Sequence, residues 1–107
     1  MKFITHNQDE LINSNMTHLQ GVITCSYTDL VSTFGEPMAE GFDDYKCDAE
    51  WVVQFDDGTV ATIYNWKNGK NYCGDEGKAV QDIREWHIGG HTGDATANVR
   101  QVLREGV

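Results

Sequence analysis

The stretch AEWVVQFDDGTVATIYNW, residues 49–66, constrains the fold of this chain more than any other segment. Apolar side chains alternate with others on both sides of Asp57-Gly58, and Asp-Gly favours the two-residue turn of a β-hairpin. Because side chains alternate between the faces of a strand, Trp51, Val53 and Phe55 share one face. The return strand alternates in the same way, with one face formed by Val60, Thr62, Tyr64 and Trp66. The sequence therefore predicts an antiparallel sheet built around this hairpin.

The segments before the hairpin predict one or two strands and a short helix. Residues 1–17 are polar and predict a short strand or a loosely ordered arm, followed by a loop. The β-branched stretch 18–27 predicts a strand at the edge of the sheet. Residues 28–34 predict a helix that ends at Gly35. The acidic segment 38–48 is a predicted loop.

The segments after the hairpin predict one strand and one helix. The Gly/Asn-rich stretch 67–78 is a predicted loop, and a last strand is centred on residues 86–88. Gly89-Gly90 is expected to turn the chain, and Thr92 or Asp94 is expected to cap the closing helix. An apolar stripe of helical spacing is formed in that helix by Ala95, Val99, Val102 and Leu103.

Together these elements predict an α+β fold, with a small antiparallel sheet of about four strands and with a short and a C-terminal helix packed on one face. A chain of 107 residues has room for a single domain, 1–107, with one modest core. Trp51 is expected to lie in that core. Trp66 and Tyr72 flank the polar loop and are expected to be exposed.

The charge of the chain limits its partners. Seventeen acidic residues against eight basic ones give a net charge of −9. This field repels phosphate backbones and anionic lipid surfaces, which argues against direct binding to nucleic acid or to a membrane. It attracts a basic protein surface, although solubility alone also explains an acidic composition.

The cysteines and the N-terminal residues indicate a cellular compartment. Cys25, Cys47 and Cys73 are odd in number and widely spaced, which is typical of free thiols in a reducing cytoplasm. The first residues lack the apolar run of a signal peptide, and no stretch approaches the length of a membrane span. We therefore expect a cytoplasmic protein.

The stretch EWHIGGH, residues 85–91, raises the question of a metal site. A metalloprotease holds two such histidines on one helix, and the glycines between His87 and His91 break that helix. Cys47 and Cys73 could join them in a zinc site, but neither belongs to a short CxxC pair. No metal or other cofactor is predicted.

Catalysis is not predicted either. The adjacent acidic pairs in this sequence are typical of turns, and nothing marks a cysteine as an activated nucleophile. The protein is therefore predicted not to be an enzyme. A metal-dependent hydrolase stays as an alternative.

The residues around the double glycine also suggest an anion site. Glycines followed by a helix N-terminus can present backbone N–H groups to a phosphate or carboxylate, although the joint between a strand and a helix explains them as well. An alternative hypothesis is therefore an oligomeric protein that sequesters a nucleotide or another anion, as a sponge for a defence signal. Its predicted ligand-binding residues are Trp66, Lys67, Lys70, His87, Gly89, Gly90, His91 and Thr92.

The aromatic residues on and beside the predicted sheet give the main hypothesis, a surface that binds another protein. Trp and Tyr provide much of the anchoring energy of protein interfaces, and acidic groups accelerate association with a basic partner. The predicted partner-binding residues are Asp43, Asp44, Asp48, Glu50, Asp56, Asp57, Tyr64, Trp66 and Tyr72.

The segments LVSTFGEP, AEWVVQFDDGTVATIYNWK and EWHIGG together resemble a family of small accessory proteins of tailed bacteriophages. The resemblance spans residues 19–104, is most specific in the hairpin and the WHIGG stretch, and assigns no residue roles. It implies a phage protein in the cytoplasm of the bacterial host. By analogy with other small acidic phage proteins, it would inhibit a host or defence protein without catalysis. Anti-CRISPR and anti-restriction proteins act in this way, some of them by mimicking nucleic acid.

Overall fold

A computed structural model describes residues 1–106 and contains one five-stranded antiparallel sheet. The strands are β1 (Phe3–Thr5), β2 (His18–Thr24), β3 (Glu50–Phe55), β4 (Val60–Tyr64) and β5 (Glu85–Gly90), in the order β1-β3-β4-β5-β2. The helices are α1 (Tyr27–Phe34), α2 (Lys70–Cys73) and α3 (Asp94–Glu105), with 3-10 turns at Gly74–Glu76 and Val80–Asp82. The predicted α+β class is confirmed. Within residues 1–106, no helix combines the length and the apolar character that a membrane crossing requires.

The sheet contains one strand more than the four predicted. Phe3–Thr5 pairs with β3, with Phe3 opposite Phe55. Of the two alternatives for the N-terminal segment, the structure therefore has the short strand. The strand predicted from residues 18–27 is β2, and it lies at the other edge of the sheet as expected.

Two tryptophans form the centre of the core between the sheet and the helices α1 and α3. Trp51 and Trp86 are fully buried, and their rings meet edge-on with centroids 5.6 Å apart. Trp51 Nε1 donates a hydrogen bond to Gly35 O at 2.7 Å, and Trp86 Nε1 donates one to Cys25 O at 3.1 Å. The two indoles therefore fill the core and bind the two ends of α1.

Local signals define both ends of α1. Ser26 Oγ accepts a hydrogen bond from Asp29 N at 3.0 Å, which satisfies one of the free N–H groups at the start of the helix. Gly35 ends the helix with a φ of 84°, a left-handed conformation that favours glycine. Leu30 and Phe34 point into the core from this helix.

The prediction that Gly89-Gly90 turns the chain is wrong, because both glycines lie within β5. Gly89 is paired with Leu19 on β2, and Gly90 is paired with Ala61 on β4. A Cβ atom on Gly89 would collide with Thr62 Oγ1, and one on Gly90 would collide with the Cβ of Ala95 in α3. The glycines therefore allow close packing above and below the strand rather than a change of direction.

Two further predictions need correction. The segment 67–78 is not only a loop, because it contains α2 and a 3-10 turn. The N-cap residue of α3 is Gly93, so neither Thr92 nor Asp94 occupies that position. Thr92 Oγ1 instead accepts a hydrogen bond from Asp94 N at 3.3 Å. The predicted apolar stripe of α3 is confirmed, with Ala95, Val99 and Val102 buried.

We predict that Gly90→Ala destabilises the protein, because the new methyl group would force Ala95 and the backbone of α3 away from the sheet. Overpacking of this kind typically costs about 1–3 kcal/mol in the free energy of unfolding. Gly93→Ala is the matched control, since nothing lies within 4 Å of its added Cβ. Urea denaturation followed by tryptophan fluorescence measures both variants. Equal stability of the two variants would contradict the close packing of β5 on α3.

Candidate functional site

Aromatic side chains gather at one end of the outer sheet face, which is the face opposite α1 and α3. The exposed fractions of three of them are 61% for Tyr45, 37% for Trp66 and 40% for Tyr72. The ring centroids of Tyr45 and Tyr72 are 5.3 Å apart, and those of Tyr64 and Trp66 are 6.0 Å apart. We call Tyr45, Tyr64, Trp66 and Tyr72 the aromatic surface. The predicted exposure of Trp66 and Tyr72 is confirmed.

Lysines connect the two halves of the aromatic surface. Lys67 Nζ lies 5.7 Å from the Trp66 ring centroid and 5.3 Å from that of Tyr72. Lys46 Nζ lies 5.3 Å from the Trp66 centroid. These cation–π contacts at an exposed site are typically worth about 0.5–1 kcal/mol each. The four rings therefore form one continuous patch.

A buried asparagine fixes the two segments that carry these rings. Asn65 is fully buried, and its Oδ1 accepts hydrogen bonds from Asp48 N at 2.7 Å and Ala49 N at 3.1 Å. Its Nδ2 donates to Asp48 Oδ1 at 2.9 Å and to Asn68 Oδ1 at 3.0 Å. All four hydrogen-bonding positions of this amide are therefore satisfied within the protein.

Asn71 makes a second connection between the same two segments. Its Nδ2 donates hydrogen bonds to Asp44 O at 2.9 Å and to Cys47 O at 3.0 Å, and its backbone N donates to Asp48 Oδ2 at 3.3 Å. Both carboxylate oxygens of Asp48 thus accept hydrogen bonds inside the protein. Asp48, one of the predicted partner-binding residues, therefore connects the two segments that carry the aromatic surface.

A pocket of about 230 Å³ opens beside the aromatic surface. Its walls include the aromatic residues Tyr64 and Trp66 and the acidic residues Asp43 and Glu50. Glu50 lies directly opposite Tyr64 in the pairing of β3 with β4, so their side chains share the outer face. We call this cavity the Glu50 pocket. The sequence did not indicate it, because Asp43 reaches it from a loop.

The carboxyl group of Glu50 has unusual electrostatics. Burial raises its pKa to about 7, and the nearby Asp43 carboxylate contributes to the increase. A cation that enters the pocket would favour the charged form of Glu50 and cause it to release its proton. Two carboxyl groups beside aromatic rings are suited to a positively charged group.

The thiol in the same pocket is unreactive at neutral pH. Burial raises the pKa of Cys47 to about 12, and the Glu50 and Asp43 carboxyl groups contribute to the increase. The thiolate is the nucleophilic form of cysteine, so this side chain behaves as a small apolar group. Among residues 1–106, no three His, Cys, Asp or Glu side chains gather in a way that could hold a metal ion.

Asp56 and Asp57 lie far from the other predicted partner-binding residues. They occupy the hairpin tip, at the opposite end of β4 from Trp66 and thus about 17 Å away along a strand of this length. Asp57 Oδ2 accepts a hydrogen bond from Asn98 of α3 at 3.0 Å. Hydrogen bonds from the Thr59 N–H and from Asn98 hold the pKa of Asp57 below its usual value. The nine residues predicted for one surface therefore lie in two places.

The residues of the alternative anion site are also separated. Trp66, Lys67 and His87 lie near Tyr64, whose ring centroid is 5.6 Å from that of His87. Lys70 lies in α2, on the same side.

Of the remaining residues of that set, Gly89 also lines the Glu50 pocket, whereas Gly90, His91 and Thr92 follow it at the end of β5 and beyond. Gly89 and Gly90 are enclosed in the sheet, Thr92 is exposed, and His91 Nε2 donates a hydrogen bond to Asn15 O at 2.9 Å. Asp94 occupies the first turn of α3, where its negative charge opposes an anion. The four cysteine and histidine positions considered for zinc are divided in the same way, because Cys47 lines the Glu50 pocket and His91 does not.

Some residues of the site were not predicted. Tyr45 was overlooked because it lies in an acidic loop rather than in the hairpin. Asn65 carried a usable signal, since a polar residue at an inward position of an alternating strand must find hydrogen-bond partners. No protein-family model matches this chain, and no curated protein or solved structure matches it.

We predict that Asn65→Ala lowers the free energy of unfolding by about 2–4 kcal/mol, because Asp48 N and Ala49 N lose their acceptor in the interior. Denaturant unfolding measures the change. Asn15→Ala is the matched control, because this exposed side chain makes no hydrogen bond within residues 1–106. Wild-type stability of Asn65→Ala would show that the two segments hold together without this amide.

We also predict that protein stability falls as pH rises through the range in which Glu50 ionises. Its pKa is about 7 in the folded protein against a usual value of 4.5, so between these values only the folded state keeps the proton. Below pH 4.5 both states are protonated, and above pH 7 the loss is complete, at up to about 3 kcal/mol.

Glu50→Gln removes this dependence, whereas the same substitution at the exposed Glu40 is the matched control. The measurement is the free energy of unfolding from pH 4.5 to 8 for the three proteins. Parallel profiles for wild type and Glu50→Gln would contradict the raised pKa.

Proposed function

We propose that this protein is a non-catalytic phage accessory protein that binds and inhibits a bacterial host or defence protein. The observation that carries the proposal is the aromatic surface, with three exposed rings held together at one end of the sheet. Large exposed aromatic groups cost free energy in water and are common at the centres of protein interfaces. A rigid patch also loses little entropy when it binds.

The buried hydrogen bonds beneath the patch support a binding role. Asn65 and Asn71 fix the backbone on both sides of Trp66 and Tyr72, so these rings are held in place before a partner arrives. Such preorganisation improves affinity by lowering the cost of ordering the interface. An acidic surface that served only solubility would need neither exposed aromatic rings nor a hydrogen-bond network beneath them.

Lys46 and Lys67 contact the rings, but the carboxylates around the patch favour a basic partner. Asp44 is exposed next to Tyr45, and Asp75 and Glu76 are exposed directly after α2. The net charge of −9 would accelerate the approach of a positively charged surface. We infer that a lysine or arginine of the partner enters the Glu50 pocket, where it would contact two acidic and two aromatic residues. Basic surfaces of this kind occur on CRISPR effectors and restriction enzymes because these proteins bind nucleic acid.

The proposal predicts a large loss of binding when the patch is truncated. The tagged protein captures its partner from bacterial lysate, and calorimetry then measures affinity with the purified partner. Trp66→Ala combined with Tyr72→Ala should weaken binding by about 30-fold or more, as expected for residues that anchor an interface. The matched control is Leu11→Ala with Met16→Ala, two side chains that are 88% and 79% exposed in a different segment.

Two results would overturn the proposal. One is a Trp66/Tyr72 variant that binds and inhibits the partner as well as the parent does. The other is equal loss with the Leu11/Met16 control, which would place the interface elsewhere. Binding measured at increasing salt concentration separates the contribution of charge from that of the rings. A steered association slows as ionic strength rises, whereas the contacts of buried rings do not weaken.

A further inference from the structure

A second pocket, of about 330 Å³, lies on the helical side of the sheet and is unrelated to the aromatic surface. It opens between α1 and the C-terminal part of α3. Arg100 and Arg104 line it from α3, and Ser32 and Thr33 line it from α1. Because the two arginines are four residues apart on one helix, their side chains project in the same direction.

The two arginines that line this pocket are two of the three in the chain. Arg84 is the third; it does not line the pocket, but its positive charge acts on the thiol of Cys25 in the pocket wall. Arg100 Nη2 donates a hydrogen bond to Val22 O at 3.0 Å, which fixes its guanidinium and leaves its other N–H groups free of that contact. In a protein with a net charge of −9, this is a local concentration of positive charge.

The arginines are not neutralised by salt bridges within the described part of the chain. Between residues 1 and 106, the one salt bridge joins the Met1 ammonium group to Glu105 Oε2 at 2.8 Å. Glu105, the neighbour of Arg104, is thus already paired. Asp29 lines the pocket, but it lies beyond salt-bridge distance from the guanidinium groups. In the pocket wall, two cations, Arg100 and Arg104, therefore face one carboxylate, Asp29.

The remaining wall of the pocket is partly apolar and partly hydroxylated. Leu103 and Cys25 provide apolar surface, and Thr24, Ser32 and Thr33 provide hydroxyl groups. Guanidinium groups bind phosphate oxygens through paired hydrogen bonds, and hydroxyl groups can supply further donors. A volume of about 330 Å³ is at the lower end of the range for small-molecule sites.

We propose that this pocket binds the phosphate monoester of a small molecule. The phosphate would lie between Arg100 and Arg104, within reach of the α1 hydroxyl groups, and the organic part would lie on Leu103. Burial raises the pKa of the Cys25 thiol to about 11, so this side chain is neutral and binding is non-covalent. The site differs in position and residues from the Gly89–Thr92 stretch that the sequence suggested for an anion.

Calorimetry with inorganic phosphate, phenyl phosphate and a nucleoside 5′-monophosphate tests this proposal on the intact protein. At least one of the two esters should bind more tightly than inorganic phosphate, and the comparison of the two shows whether a nucleoside is preferred. Arg104→Gln should weaken ester binding by about tenfold or more, because a charge-assisted hydrogen bond is lost. Lys70→Gln removes the same charge on exposed α2 and should change the affinity by less than about twofold.

Asp29→Asn provides a readout that a folding defect cannot produce, because a folding defect would weaken binding and not tighten it. Removal of the one carboxylate in the pocket wall should tighten ester binding by about two- to fivefold, since a like charge is lost. The proposal is overturned if Arg104→Gln and Lys70→Gln weaken binding equally, which would indicate only a general charge effect. It is also overturned if Asp29→Asn does not tighten binding, or if inorganic phosphate binds as tightly as both esters.

Discussion

The contact between Trp51 and Trp86 is the interaction on which the rest of the fold depends. These buried rings come from β3 and β5, the two neighbours of β4, and their N–H groups bind the carbonyls just outside the two ends of α1. The same two side chains thus join three strands and fix a helix. A buried indole without a partner for its N–H would cost stability, so the position of α1 and the packing of the core determine each other.

Because the tryptophans and the helices pack on the inner face of the sheet, the outer face is left uncovered. Helices α1 and α3 cover one side of the sheet, while the other side carries Thr62, Tyr64 and Gly89 around the Glu50 pocket. Gly89 connects the two roles, because a side chain there would collide with Thr62 in the pocket wall. A residue needed for strand packing therefore also keeps the pocket open.

The sequence predicted the elements whose signals are local and missed the contacts made between distant segments. The hairpin, α1 and α3 follow from alternation, caps and an apolar stripe within a few residues of each other. The place of Gly89 and Gly90 in β5 depends on Thr62 and Ala95, which lie far away in the chain. The same distinction between local signals and distant contacts applies to the candidate site. Exposure of Trp66 followed from its position, but the role of Asp48 depends on hydrogen bonds with Asn65 and Asn71.

The two pockets have opposite charge, and this matters in a molecule of this size. The protein measures 40 × 30 × 24 Å, whereas fields in physiological salt decay over about 8 Å. The net charge of −9 therefore influences the approach of a partner more than it influences a phosphate already in contact with Arg104. Each pocket responds mainly to its own neighbouring groups, Asp43 and Glu50 in one and the arginines in the other. The proposed cation on one face and the proposed phosphate on the other would thus bind independently, on opposite sides of one thin sheet.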